Sequence, residues 1–169
     1  AGAYGISVFD NTYRLYFDTT DRNSCPKILR TDPTIKGLSF TNYLTLNTTG
    51  KDNAYIFGAP FSHERTIRGN IPAGRVSFSI KGDIPDPGLL LGEKLAEYLQ
   101  KSGVNIHTVK TARTDYILRV CHKTPQPYRV GEVLYIHRSL PLSDIICEIN
   151  VKSNNHFAEH VLRTIGRAQ

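Results

Sequence analysis

The 169 residues include no tryptophan and no methionine, and only three cysteines, Cys25, Cys121 and Cys147. The cysteines share no C-x-x-C spacing, which excludes a zinc ribbon and a thioredoxin-type redox pair. A Cys121–Cys147 bridge is open but unforced, and Cys147, in the run Ile145-Ile146-Cys147, is expected to be buried as free cysteines usually are. No apolar run approaches the roughly 20 residues that span a bilayer. The start, Ala1-Gly2-Ala3-Tyr4-Gly5-Ile6, has no basic segment ahead of an apolar one, so no signal peptide is read there. With no initiator methionine, the chain reads as a mature or excised piece. Blocks of like charge are also missing. The net charge of +6 comes from 21 Lys and Arg spread from Arg14 to Arg167, without aromatic interleaving, which reads as a basic surface and not as a nucleic-acid site.

What is present is ordinary for a globular protein: 40% apolar and 21% charged residues. The length suffices for one core, or for one domain and a piece of another. Ile6 and Val8, a turn at Asp10-Asn11, and Tyr13, Leu15 and Phe17 predict a hairpin. Residues 18–34 read as a loop. Strands are predicted over Leu38–Leu46, Ala54–Phe57 and Arg65–Arg68, followed by a turn at Gly69–Gly74, and Val76, Phe78 and Ile80 make the clearest alternating run. Asp86-Pro87 opens a helix whose apolar face is Leu89, Leu90, Leu91, Leu95, Tyr98 and Leu99, with Gly103 as its stop. Further strands are predicted at Val104–Val109, Tyr116–Val120 and Val133–Ile136. From Leu142 the period turns helical through Ile145, Ile146 and Ile149, breaks at Lys152–Asn155, and resumes through Phe157, Val161, Leu162 and Ile165. The expected fold class is α+β: a mostly antiparallel sheet with a packed helix over residues 1–138, then a two-helix segment over 139–169 that belongs to a different core.

The break between those last two helices carries Ser153-Asn154-Asn155. A Ser-x-Asn tripeptide at such a break is where one class of serine acyl-transferases keeps its second active-site element. Around it lie other words: Gly69-x-Ile71-Pro72-Ala73-Gly74, Asp86-Pro87, Ser102-Gly103-Val104, His137-x-Ser139-x-Pro141-Leu142-Ser143-Asp144-Ile145, and Ala158-Glu159 with Arg163. In this order they resemble the low-molecular-mass penicillin-binding proteins of the D-alanyl-D-alanine carboxypeptidase and endopeptidase family with large inserted domains. The resemblance implies that residues up to about 138 belong to the inserted domain and that the remainder re-enters the catalytic domain. It also implies a parent enzyme that cleaves peptidoglycan stem peptides through an acyl-enzyme, binds β-lactams, needs no cofactor or metal, and works in the periplasm or another extracytoplasmic space. Ser153 would be the relay hydroxyl and Asn155 the amide that holds the substrate backbone.

That chemistry also needs a Ser nucleophile and a Lys three residues on, sharing one helix face, and a later Lys-Thr-Gly strand. Ser24-Cys25-Pro26-Lys27 has the spacing but sits with a proline in a polar stretch. Lys123-Thr124 is followed by Pro125 and precedes Ser-x-Asn. The expectation is that this chain alone does not turn over substrate.

Two other readings compete. His156-Phe157-Ala158-Glu159-His160 is an H-x-x-E-H pattern, the inverted zinc-protease motif, with Glu159 as its general base; a third acidic ligand downstream is wanting, since the nine following residues hold no Asp or Glu. Alternatively the sheet domain is a non-catalytic module that touches cell-wall polymer, weakly at most. His63, His107, His122 and His137 show no ligand spacing. The tripeptide itself has a plain alternative, since Ser and Asn are favoured helix N-caps.

Overall fold

The chain enters its first strand through a left-handed turn. In the computed structural model, which describes residues 4–111, 113 and 135–168, Phe9, Asp10 and Asn11 all have positive φ, a conformation that costs an L-residue about 1–2 kcal/mol. Buried Asn11 holds the turn. Its N–H donates to the Val8 carbonyl at 2.9 Å, its Oδ1 accepts from the Val8 N–H at 3.1 Å, and its carbonyl accepts from the Ile84 N–H at 2.8 Å. This turn displaces the expected hairpin, and residues 4–8 form no strand.

Strand β1 (Thr12–Asp18) instead takes distant partners. It lies between β2 (Lys27–Asp32) and β6 (Phe78–Asp83), antiparallel to both. Tyr13, Leu15 and Phe17 alternate into the core, as their spacing predicts. β2 falls in the stretch read as loop. None of its residues is fully buried, so it carries none of the apolar alternation by which strands are recognised. Val76, expected to lead the clearest strand, precedes β6 and is 73% exposed.

The second sheet has the order β3 (Ser39–Asn47), β5 (Glu64–Pro72), β4 (Asn53–Phe57). β5 pairs parallel with β3 and antiparallel with β4. It runs on through Gly69 to Pro72, where a turn was expected. Gly69 has φ +111°, and a Cβ there would collide with the Asn53 carbonyl, so this glycine permits a close strand approach and the turn follows it.

Both sheets feed one core, with Ile67, Ile71, Leu44, Ile80, Ile84 and Leu90 joining the β1 side chains. Arg65 is buried among them. Its Nη1 donates to the carbonyls of Ser62 (2.7 Å), Glu64 (3.2 Å) and Ala59 (3.3 Å), and its Nη2 lies 3.5 Å from an Asp83 carboxylate oxygen. A buried guanidinium is tolerable because carbonyls and a carboxylate meet it.

Helix α1 (Pro87–Lys101) starts as expected, with Asp86 Oδ1 accepting from the Leu89 N–H at 2.9 Å. It ends in a Schellman motif: Gly103 at φ +85° donates to Gln100, and Val104 donates to Leu99, both at 3.0 Å. Of its predicted face only Leu90 is buried, while Leu91, Leu95 and Tyr98 are exposed. Residues 104–109 form no strand; the segment is irregular, with Gln100 Nε2 donating to the Ile106 carbonyl and Val109 packed where a Cβ on Gly92 would lie. The strands expected at Tyr116–Val120 and Val133–Ile136 fall wholly or partly outside the described residues, and Tyr135 and Ile136 are not in a strand.

Two further helices follow, α2 (Leu142–Lys152) and α3 (Asn155–Ala168). No α2 residue is buried. Cys147 is therefore exposed and free, contrary to the expectation of burial; Cys121 lies outside the described residues. The fold is α+β, with three of the four strand pairings among the described residues antiparallel. Contacts divide the chain into two units, Ala1–Leu91 and Gly92–Gln169.

Candidate active-site element

The Ser-x-Asn tripeptide forms the joint between α2 and α3. Ser153 ends α2 in the left-handed conformation, φ 50° and ψ 43°, with its N–H donating to the Ile149 carbonyl. The Asn154 N–H donates to the same carbonyl at 3.2 Å. A left-handed residue at a helix end is usually glycine, so a serine there carries backbone strain of about 1 kcal/mol.

Asn154 supplies the cap of α3. Its Oδ1 accepts from the Phe157 N–H at 3.2 Å and its carbonyl accepts from the Ala158 N–H at 3.1 Å. The plain capping role thus falls on the middle residue. Ser153 and Asn155 stand exposed on either side, and among the described residues neither side chain makes a hydrogen bond. A hydroxyl and an amide, two residues apart and without a hydrogen-bond partner among the described residues, are equipped to donate to and accept from a peptide-like ligand.

The neighbouring charges are committed. Lys152 pairs with Glu148 at 2.8 Å, and that hydrogen bond, followed by the carboxylate's charge, raises the lysine pKa. On α3, Glu159 pairs with Arg163 at 3.1 Å, the two residues that the sequence set beside the tripeptide.

The rival histidines also lie on α3. The rings of His156 and His160 meet edge to face with centroids 4.3 Å apart. His160 Nδ1 donates to the His156 carbonyl at 2.8 Å, which leaves Nε2 as the basic nitrogen. Glu159 is turned to Arg163, and among the described residues no three His, Cys, Asp or Glu side chains converge to hold a metal ion.

Ser24 is exposed ahead of β2, Pro26 is buried, and Lys27 begins that strand, so Ser24 and Lys27 share no helix face. Lys123-Thr124 lies outside the described residues. Ser139 and His137 stand in an exposed, irregular segment before α2. Asn154 was the residue that sequence reasoning passed over, because Ser, Asn and Asn are nearly equal as caps.

A family model, D-Ala-D-Ala carboxypeptidase 3 (S13), matches residues 10–169; the chain belongs to this family. Among solved structures it is similar to penicillin-binding protein 4 from Haemophilus influenzae, crystallised in complex with a β-lactam. The TM-score is 0.54 at 15% identity, over 89% of this chain and 32% of the other, so the likeness is one of fold and the chain spans about a third of that protein's length. No curated protein matches. Among the described residues no helix is long and apolar enough to cross a membrane.

Proposed function

We propose that this chain is inserted-domain material plus the second active-site element of a serine-type D-Ala-D-Ala carboxypeptidase or endopeptidase, with the boundary near residue 138. The whole protein cleaves peptidoglycan stem peptides through an acyl-enzyme, is acylated by β-lactams in the same way, and works outside the cytoplasm. Family membership supports the reaction class. The observation that carries the site assignment is the division of labour at the helix joint, where Asn154 does the capping and leaves Ser153 and Asn155 free.

In this reading a Ser nucleophile on another segment gives its proton to a nearby Lys and attacks the carbonyl carbon of the scissile D-Ala-D-Ala bond. Ser153 Oγ relays a proton toward the leaving amine, and the Asn155 amide holds the substrate backbone. A strained Ser153 backbone fits a positioned hydroxyl. Helices α2 and α3 leave Leu142, Ile146, Leu162 and Ile165 exposed, which supports their packing into the remainder of a catalytic domain. The 169 residues, with no Ser-x-x-Lys on a helix among those described and no Lys-Thr-Gly, are inactive alone.

The test is the intact mass of the full-length gene product after incubation with excess penicillin. One stoichiometric adduct is expected. A well-folded protein that takes up none overturns the assignment.

A further inference from the structure

One face of the β3-β5-β4 sheet supplies the core, and the other faces solvent. Strand register sets Tyr43, Arg68 and Tyr55 side by side across all three strands. The adjoining row on the same face is Thr41, Thr66 and Phe57. Tyr43, Tyr55 and Phe57 are 60%, 65% and 53% exposed. The Arg68 guanidinium lies 5.6 Å from the centre of the Tyr43 ring, and the Tyr55 and Phe57 rings lie 6.4 Å apart. Three large rings in solvent on one small sheet are a concentration that marks a binding surface.

We propose that this face binds a polysaccharide, with sugar rings laid on Tyr43 and Tyr55. Three properties select that partner. The first is shape. A pyranose offers one face of C–H bonds, slightly positive, to the negative face of an aromatic ring. Tyr43 and Tyr55 stand on strands two spacings apart, roughly 9.6 Å, so two sugars of one chain with a third between them can reach both. The second is charge. Arg68 is the only charged residue in the two rows, which suits a neutral or weakly anionic polymer. A nucleic acid strand demands a line of cations along its phosphates. The third is polar chemistry. Among the described residues the Thr41 and Thr66 hydroxyls make no hydrogen bond, and both stand ready for sugar hydroxyls and acetamido groups. Because the rings sit on paired strands and Arg68 is braced against Tyr43, little side-chain freedom is lost on binding.

The choice of a cell-wall glycan as the polymer rests on the proposed function; the binding face itself does not. The experiment is a titration of the 169-residue chain with a peptide-free hexamer of N-acetylglucosamine, followed by tyrosine emission, which no tryptophan masks. Saturable binding with Kd on the order of 10⁻⁴ M is expected, little changed by salt. Tyr43→Ala and Tyr55→Ala should each weaken it roughly 3- to 10-fold, the scale of one aromatic contact. Leu95→Ala, at an exposed apolar residue on α1, should leave it unchanged. Both tyrosines are exposed, and unaltered urea unfolding of the variants will confirm that they fold. The proposal is overturned if no saturation is reached, if the double Tyr43→Ala, Tyr55→Ala variant binds as well as the parent, or if a thymidine oligonucleotide binds more tightly at the same tyrosines. Hexamer binding without penicillin acylation of the full-length protein would sink the enzyme assignment and leave this face standing, and the reverse result would do the opposite.

Discussion

Asn154 Oδ1 accepts a hydrogen bond from the Phe157 N–H at 3.2 Å, and this one contact gives the capping role in a three-residue motif to its middle member. Asn154→Ala should cost α3 about 1 kcal/mol, seen as faster amide exchange at Phe157, by about 5-fold. Ser153→Ala and Asn155→Ala should leave that exchange within about 0.5 kcal/mol of the parent. In the full-length enzyme the ranking reverses: Ser153→Ala should slow acylation by about 100-fold or more, and Asn154→Ala should affect it least. Equal losses from all three variants would show that the motif is only a joint.

Ser153→Gly should stabilise the joint by up to about 1 kcal/mol, because glycine adopts φ 50° without strain. It should also lose acylation activity as Ser153→Ala does. A gain in stability with activity retained would remove Ser153 from the relay.

Arg65 is the keystone of the first unit. Replacing it with Met removes the donor to four carbonyls, those of Ala59, Ser62, Glu64 and Asp83, and the partner of the Asp83 carboxylate, at a cost of about 3 kcal/mol. Gly58→Ala attacks the same contact from outside, since the new Cβ would overlap the Arg65 guanidinium. That guanidinium is pinned, so a loss of about 1–3 kcal/mol is expected from overpacking. Urea midpoints measure both, and a neutral Gly58→Ala would mean that Arg65 can move aside.

Tyr13 ties stability to alkaline pH. Burial pushes its phenol up to about 12 from 10.0, with Asp83 adding to the rise and the Arg65 guanidinium opposing it. Its hydroxyl is buried and finds no well-aligned hydrogen-bond partner among the described residues, the Arg65 guanidinium being the group near enough to act on it. Between pH 10 and 12 the unfolded chain has released this proton and the folded chain still holds it. Stability from this group is therefore complete below pH 10 and falls through that window, by roughly 1.4 kcal/mol per unit. Tyr13→Phe should match the parent or exceed it at pH 8, and its urea midpoint should decline less steeply from pH 10 to 12. Parallel declines would assign the loss to other groups.

What could be read from the sequence was what is decided locally. Asp86, Pro87 and Gly103 bracket α1 because caps and left-handed stops act within a turn of their own residues. Ser153 and Asn155 were legible as a motif, at a break that the change of period at Lys152 already marks. Missed features depend on distant partners. β2 shows no apolar alternation, only Ile28 reaching the core, and it exists because Arg14, Leu15 and Tyr16 of β1 stand opposite its backbone. Gly69 looks like a turn glycine until the Asn53 carbonyl is placed against it. Leu91, Leu95 and Tyr98 have core spacing, yet spacing says nothing of whether another element arrives to cover them. The same limit hid the exposed Tyr43–Arg68–Tyr55 row, which exists only once three strands are in register.

The position of β5 between β3 and β4 has a kinetic consequence. β3 and β4 follow one another in the chain but do not pair; each finds its ladder on β5. A β3–β4 hairpin is thus no step toward this sheet. The β4–β5 hairpin is the only local nucleus available to it, and β3 then docks along the open edge of β5 as a parallel strand, closing a longer loop. Amides of β3 should gain protection after those of β4 during refolding, so the last strand to be secured is the one that carries Tyr43.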